Sequence, residues 1–142
     1  MNKSPLWIFI VLGICLGVSQ SFFFLIPIVI LSYVIFIKKI LRIGYLKDSF
    51  FAGWSFGIGF YIGSMHWIIS PFLIYEKHFL LSPISILFPL LMGLFFSLPS
   101  VLITILKNFI HFQRISSISK AFAISTFFFI AEIFKSNLFG GL

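Results

Sequence analysis

Polar residues are sparse along this chain, and the apolar stretches between them divide it into five runs. The first, 5–19, is interrupted by Gln20 and Ser21, and the second, 22–37, stops at a basic segment of Lys38, Lys39, Arg42 and Lys47 with Asp48 as its counter-charge. These two read as a tight helical hairpin with Pro27 near the start of the return arm. The third run, 50–69, is 20 residues long, and at about 1.5 Å per residue it crosses a hydrocarbon core about 30 Å thick. A mixed segment, 70–83, with Pro71, Glu76, Lys77, His78 and Pro83, reads as a partly interfacial loop. The fourth run, 84–106, carries Pro89 and Pro99, which membrane helices tolerate where neighbours satisfy the freed carbonyls. The fifth, 121–134, is short, but Lys120 and Lys135 at its ends can snorkel. The predicted fold is all-α: a polytopic membrane bundle of about five transmembrane helices, forming a single domain over 1–142.

Composition removes the alternative of a water-soluble domain. Hydrophobic residues are 61% of the chain and charged residues 9%, with a mean hydropathy of +1.19, so polar side chains cannot cover a soluble surface. Phe accounts for 22 residues, so an individual Phe is background and not a signal. Cys15 is the sole cysteine, which excludes an internal disulfide and a thiolate metal cluster; no metal ligand set and no cofactor motif is present.

The net charge of +7 acts through its placement. Basic residues lie between apolar runs instead of clustering on a polar face, so nucleic acid is not an expected partner. With the N-terminus cytoplasmic, Lys3, Lys38, Lys39, Arg42, Lys47, Lys107, Arg114 and Lys120 fall inside, against Lys77 and Lys135 outside. That bias for short loops predicts the orientation and puts the C-terminus on the opposite face, which in a Gram-negative bacterium is the periplasm. Lys3 ahead of the first run raises the possibility of a signal peptide, but no small-x-small cleavage site follows it.

The third run is the least generic. Gly53, Gly57 and Ser64 fall within about 40° of one another on a helix, and Gly59 and Gly63 repeat the small-xxx-small spacing on the adjoining surface. Two neighbours can therefore approach this helix closely, and plain helix packing is the ordinary reading of the glycines. Trp54 and Trp67 sit where an interfacial belt would place them, and His66 beside Trp67 is a candidate for headgroup contact. Near the end of the fifth run Glu132 and Lys135, three apart, share a helix face. A structural ion pair is the default there; contact with a lipid or a downstream domain is the sharper reading.

Two of these segments carry a family resemblance. The run Gly53-Trp54, Phe56-Gly57, Gly59-Phe60, Gly63 and Trp67 resembles the third membrane helix of the bacterial apolipoprotein N-acyltransferases, which reads GW-F-G-GF followed by G and an aromatic pair containing Trp. That family also has a helix ending in Glu-Trp-Leu-Arg-Gly, then a few residues, then Thr-Gly-Phe-Pro-Trp. Here Glu132 matches the Glu, Lys135 replaces the Arg, Phe139 and Gly141 keep their spacing, Gly140 stands for the Thr and Leu142 for the Phe. The order of elements fits as well, and the resemblance covers the leading, membrane part of the family.

The resemblance implies phospholipid-dependent N-acylation of the S-diacylglyceryl cysteine at a lipoprotein N-terminus. It implies membrane phospholipid as a partner and a nitrilase-like periplasmic domain in which a Glu activates a Cys nucleophile and a Lys stabilises the oxyanion. None of these three residues can be placed here. Cys15 has Gly13, Ile14, Leu16 and Gly17 for neighbours and lacks the adjacent base a nucleophile needs, and Glu76, Lys77 and His78 are weak evidence for a catalytic cluster. No catalytic residue is therefore assigned. The expectation is a truncated or split membrane portion, non-catalytic alone and completed by a separately encoded nitrilase-like part. The alternative is a small non-enzymatic membrane protein or membrane subunit. A third reading, a lipoprotein processed at Leu12-Gly-Ile-Cys15, is disfavoured by the bulky Ile14.

Overall fold

In an apolar surrounding a backbone N–H or C=O finds no water, so each run must satisfy its own hydrogen bonds, and a helix does so within one segment. The computed structural model describes residues 5–20, 22–65, 82–109 and 116–139. Among them the regular structure is entirely helical: α1 (Leu6–Ser19), a 3₁₀ turn (Phe23–Leu25), α2 (Ile26–Ile40), α3 (Leu46–Ser64), α4 (Ser82–Phe109) and α5 (Ser117–Phe139). Burial in the bundle overrides the weak helix propensity of the many Ile and Phe residues.

Helix ends follow from local chemistry. Pro5 precedes α1 in an extended conformation, and Pro27 falls in the first turn of α2, where a missing N–H costs nothing. Lys38 and Lys39 occupy the last turn of α2, and Asp48 the first turn of α3, each placed favourably against the helix dipole. α3 thus begins at Leu46, four residues before the apolar run, because a charged first turn is stable at a helix N-terminus. α5 likewise begins before its apolar run: Ser116 Oγ accepts a hydrogen bond from the Ser119 backbone N–H at 3.2 Å, an N-cap that turns a serine-rich stretch into a helix start. α4 extends beyond the apolar run at its far end, through Lys107 to Phe109.

The helices alternate in direction. Gly13 lies against Phe56 and Phe60, and Gly17 against Phe60 and Ser64, so α1 and α3 run parallel. Gly53 lies against Ser100, and Gly57 against Gly93, so α4 runs the opposite way. Lys135 beside Tyr61 and Phe128 beside Phe96 set α5 parallel to α3. Helix α3 is the spine, held between α1 and α4, and α5 packs on α4. At the centre Phe36 stacks on Phe56 with ring centroids 3.9 Å apart, while Phe9 and Phe96 meet these rings edge-on.

Polarity is distributed inside-out relative to a soluble protein. Ser19, Ser32, Ser49, Ser97, Ser100 and Thr104 are buried, whereas Trp7, Phe24, Ile30, Phe122, Phe129 and Leu138 are exposed. An apolar exterior over hydroxyl-bearing contacts is the arrangement a bilayer selects. Two helices, over Leu87–Phe109 and Ser117–Leu138, are long and apolar enough to cross a membrane, with mean hydropathies of 2.1 and 1.5.

Candidate functional site

The site is built around α3, whose two glycine-bearing faces differ in what they meet. On one face a Cβ at Gly57 would lie 2.5 Å from the Gly93 carbonyl oxygen, and one at Gly53 would lie 2.6 Å from that of Phe96. On the other, side chains at Gly59 and Gly63 would run into the backbone of Ile10 and Ile14 in α1. Ser64, at the end of α3, brings its backbone nitrogen against Gly17, and its hydroxyl makes no hydrogen bond among the described residues. Backbones at this separation gain dispersion along the whole contact, which is what holds helices together where lipid removes the hydrophobic drive.

Polar contacts fix the register of α3 on α4. Ser49 Oγ donates to the Ser100 carbonyl at 2.7 Å, Thr104 Oγ1 donates to Ser49 Oγ at 2.8 Å, and Ser100 Oγ turns back to the Phe96 carbonyl at 2.8 Å. Farther along, Trp54 Nε1 donates to the Leu90 carbonyl at 2.8 Å. With α3 starting at Leu46, Trp54 lies about two turns inside the helix. At the basic end, Lys107 Nζ donates to the carbonyls of Leu41 and Ile43, and Asn108 Nδ2 to that of Gly44 at 3.0 Å. The end of α4 therefore caps the connection leading from α2 into α3.

At the opposite end α2, α3, α4 and α5 leave a cavity of about 360 Å³. Tyr33, Tyr61, Phe95, Phe96, Phe128 and Glu132 are among the residues that line it, and it opens to the surface. Lys135 Nζ is 2.5 Å from Glu132 Oε1, with the Lys135 side chain 12% exposed and that of Glu132 67%. The same ammonium stands 6.0 Å from the centre of the Tyr61 ring, within reach of the ring's negative face. Lys135 is therefore folded onto the bundle. The i,i+3 spacing pointed to the pair, but the tyrosines beside it were not singled out; their signal is that hydroxyl-bearing rings interrupt otherwise aliphatic and Phe-rich runs.

These elements are those of a known membrane domain. The chain matches the family described as apolipoprotein N-acyltransferase N-terminal domain over residues 12–142. It belongs to that family. Comparison with curated proteins and with solved structures gives no match.

Within this acyltransferase-related domain, the glycines of α3 face two partner helices and the Glu132–Lys135 pair borders the cavity. His66 and Trp67, and the Glu76–Lys77–His78 cluster, lie outside the described residues. Cys15 is exposed on α1. No group of three His, Cys, Asp or Glu side chains comes together among the described residues. The arrangement has room for apolar groups, with a charged pair at one rim.

Proposed function

We propose that this chain is the membrane part of an apolipoprotein N-acyltransferase, acting in phospholipid-dependent N-acylation of lipoproteins at the bacterial inner membrane. The family match over residues 12–142 carries this reading. In it, all five helices span the bilayer, the N-terminus is cytoplasmic, and Lys38, Lys39, Arg42, Lys47 and Lys107 gather at the cytoplasmic end. Up-down alternation of the helices and the basic end capped by Lys107 support that orientation. Helices α1 and α2 have 14 and 15 residues, so each rises only about 21–23 Å; flanking residues and local thinning of the bilayer make up the difference.

Acyl transfer in this reading needs a nitrilase-like part carrying the Cys nucleophile, its Glu and its Lys. These 142 residues supply the membrane scaffold and the lipid-facing rim to that part, whether it is joined or separately encoded. The test is complementation in cells depleted of their own acyltransferase, scored by mass spectrometry of a lipoprotein N-terminus. The chain alone should give no N-acylated product, and the chain co-expressed with or fused to a nitrilase-like part should restore it. Acylation by the chain alone overturns the non-catalytic assignment, and no acylation in either combination, with both parts present in the membrane, overturns the acyltransferase reading.

A further inference from the structure

We propose that the turn joining α2 to α3, at the basic end of the bundle, docks the headgroup of an anionic phospholipid, with Arg42 and Lys47 on its phosphate and Tyr45 and Leu46 in the adjoining interface. This rests on the bilayer-spanning reading above and is independent of acyl transfer.

Helix directions gather the cations at one end. Lys107 and Asn108, near the end of α4, reach the carbonyls of Leu41, Ile43 and Gly44, so α2 and α4 finish where α3 begins. Helix α5 runs parallel to α3 and starts at this end too. Lys38, Lys39, Arg42, Lys47, Lys107 and Lys120 therefore share it, and among the described residues Asp48 is the one acid there. An end so charged favours an anion.

Basic placement alone is a topology signal, but here the turn also has a fixed geometry. Backbone hydrogen bonds from Leu41, Arg42 and Ile43 to Ile37, Lys39 and Ile40 carry the chain out of α2, and α4 holds the carbonyls that follow. Lys107 spends its ammonium on two of these carbonyls, so it is a positioning residue and leaves the anion to Arg42 and Lys47, both exposed. Between those cations Tyr45 is 67% and Leu46 45% exposed. A nucleic acid or an acidic protein would meet the cations and leave this apolar pair in water. A lipid supplies the phosphate and the apolar boundary together, and Tyr is at home at headgroup level.

Charge also selects the headgroup. A zwitterionic lipid brings an ammonium with its phosphate into a cluster that is already positive, whereas phosphatidylglycerol brings the phosphate without it. Arg42 can meet that phosphate with two parallel N–H groups.

The full chain is reconstituted in phosphatidylcholine nanodiscs with and without phosphatidylglycerol, and native mass spectrometry counts the lipids it retains. Each cation near a membrane surface strengthens anionic-lipid binding about fivefold, so phosphatidylglycerol should be retained over phosphatidylcholine by about twentyfold. Arg42→Gln and Lys47→Gln should each lower this preference about fivefold, and together bring it near parity. Lys120→Gln removes a charge from the same end but not from the turn, and should change the preference by about twofold at most. Lys107→Met, which keeps Arg42 and Lys47 but unclamps the turn, should weaken it more than Lys120→Gln does. Circular dichroism and elution volume identify the folded variants; Arg42→Gln, at an exposed side chain, keeps the test decisive if Lys107→Met does not fold. Failure to enter phosphatidylcholine discs overturns the bilayer-spanning reading and this proposal with it. Entry with equal retention of both lipids overturns this proposal alone, as does a loss in Lys120→Gln equal to that in Arg42→Gln, the mark of diffuse charge. Displacement of phosphatidylglycerol by inorganic phosphate at constant ionic strength would assign the turn to free phosphate and overturn the lipid docking.

Discussion

Gly57 provides the sharpest measure of how the bundle is held. Its ideal Cβ would be 2.5 Å from the Gly93 carbonyl oxygen and 2.7 Å from Gly93 Cα, both backbone atoms, whereas ordinary contact begins at 3.4 Å. The oxygen is therefore 0.9 Å too close, and no side-chain rotation relieves it, so α3 and α4 must part by about that distance. A gap of this order forfeits about a quarter to a half of the dispersion in each contact it opens. It also stretches the Trp54–Leu90 and Ser49–Ser100 hydrogen bonds, each worth about 0.6 kcal/mol in a membrane interior. With overpacking alone costing about 1–3 kcal/mol, Gly57→Ala is expected to destabilise the fold by about 2–3 kcal/mol, or thirtyfold and more in the unfolding equilibrium. Gly44→Ala is the matched control, since nothing lies within 4 Å of its Cβ, and it should fall within about 0.5 kcal/mol of the unaltered chain. Reversible unfolding in bicelles, followed by steric trapping, reads both. A Gly57→Ala chain as stable as Gly44→Ala would refute the argument that backbone contact holds these helices.

Two further outcomes follow from polar contacts. Ser49→Ala and Thr104→Val should each cost about 1 kcal/mol, and a double-mutant cycle should return a coupling of about 0.5 kcal/mol, because Thr104 Oγ1 donates to Ser49 Oγ; additive effects would mean the bond carries no energy. Lys107→Met should leave the bundle assembled yet release the 41–45 connection, seen as faster amide exchange at Leu41, Arg42 and Ile43, whose N–H groups close the turn after α2; unchanged exchange there would show that the lysine cap is dispensable.

How much of this was legible in the sequence depends on the range of the interaction. The helical class and the small residues of α3 were visible because periodicity is a local property. So was the Glu132–Lys135 pair, three residues apart on one helix face. Helix starts were less visible: Leu46-Lys47-Asp48 and Ser116 read as loop by polarity, although an acidic first turn and a serine N-cap are what a helix start needs. Partners of long range could not be read at all. Gly93 is isolated among apolar residues, and only packing reveals that it meets Gly57. Tyr33 and Tyr61 are 28 positions apart and acquire meaning because α2 and α3 deliver both to one cavity. Lys107, readable as a topology signal, also binds two carbonyls more than 60 positions upstream.

Attachment is uneven across the bundle, and this bears on where it yields. Helix α3 is locked on both sides by backbone contact, but α5 has no such seam. Phe122, Phe129, Phe134 and Leu138 are exposed, and Thr126 and Asn137 turn their side chains back to their own helix at Phe122 and Ile133. Besides the buried Ile124 and Ala131, it is held by Phe128, with ring centroids 5.8 Å from Tyr33, 6.5 Å from Phe36 and 6.2 Å from Phe96, and by Lys135 over Tyr61. Removing the Phe128 ring takes away three edge-on aromatic contacts, two to α2 and one to α4, each worth about 0.5–1.5 kcal/mol. Phe128→Ala should therefore free α5 while α1, α3 and α4 stay together. Spin labels at exposed positions can separate the two outcomes: the distance between Val11 and Leu91, on α1 and α4, should keep its width, while that between Val11 and Ile133 on α5 should broaden by several ångströms. Broadening of both distances together would mean that the bundle melts as one unit and that α5 is not its weakest joint.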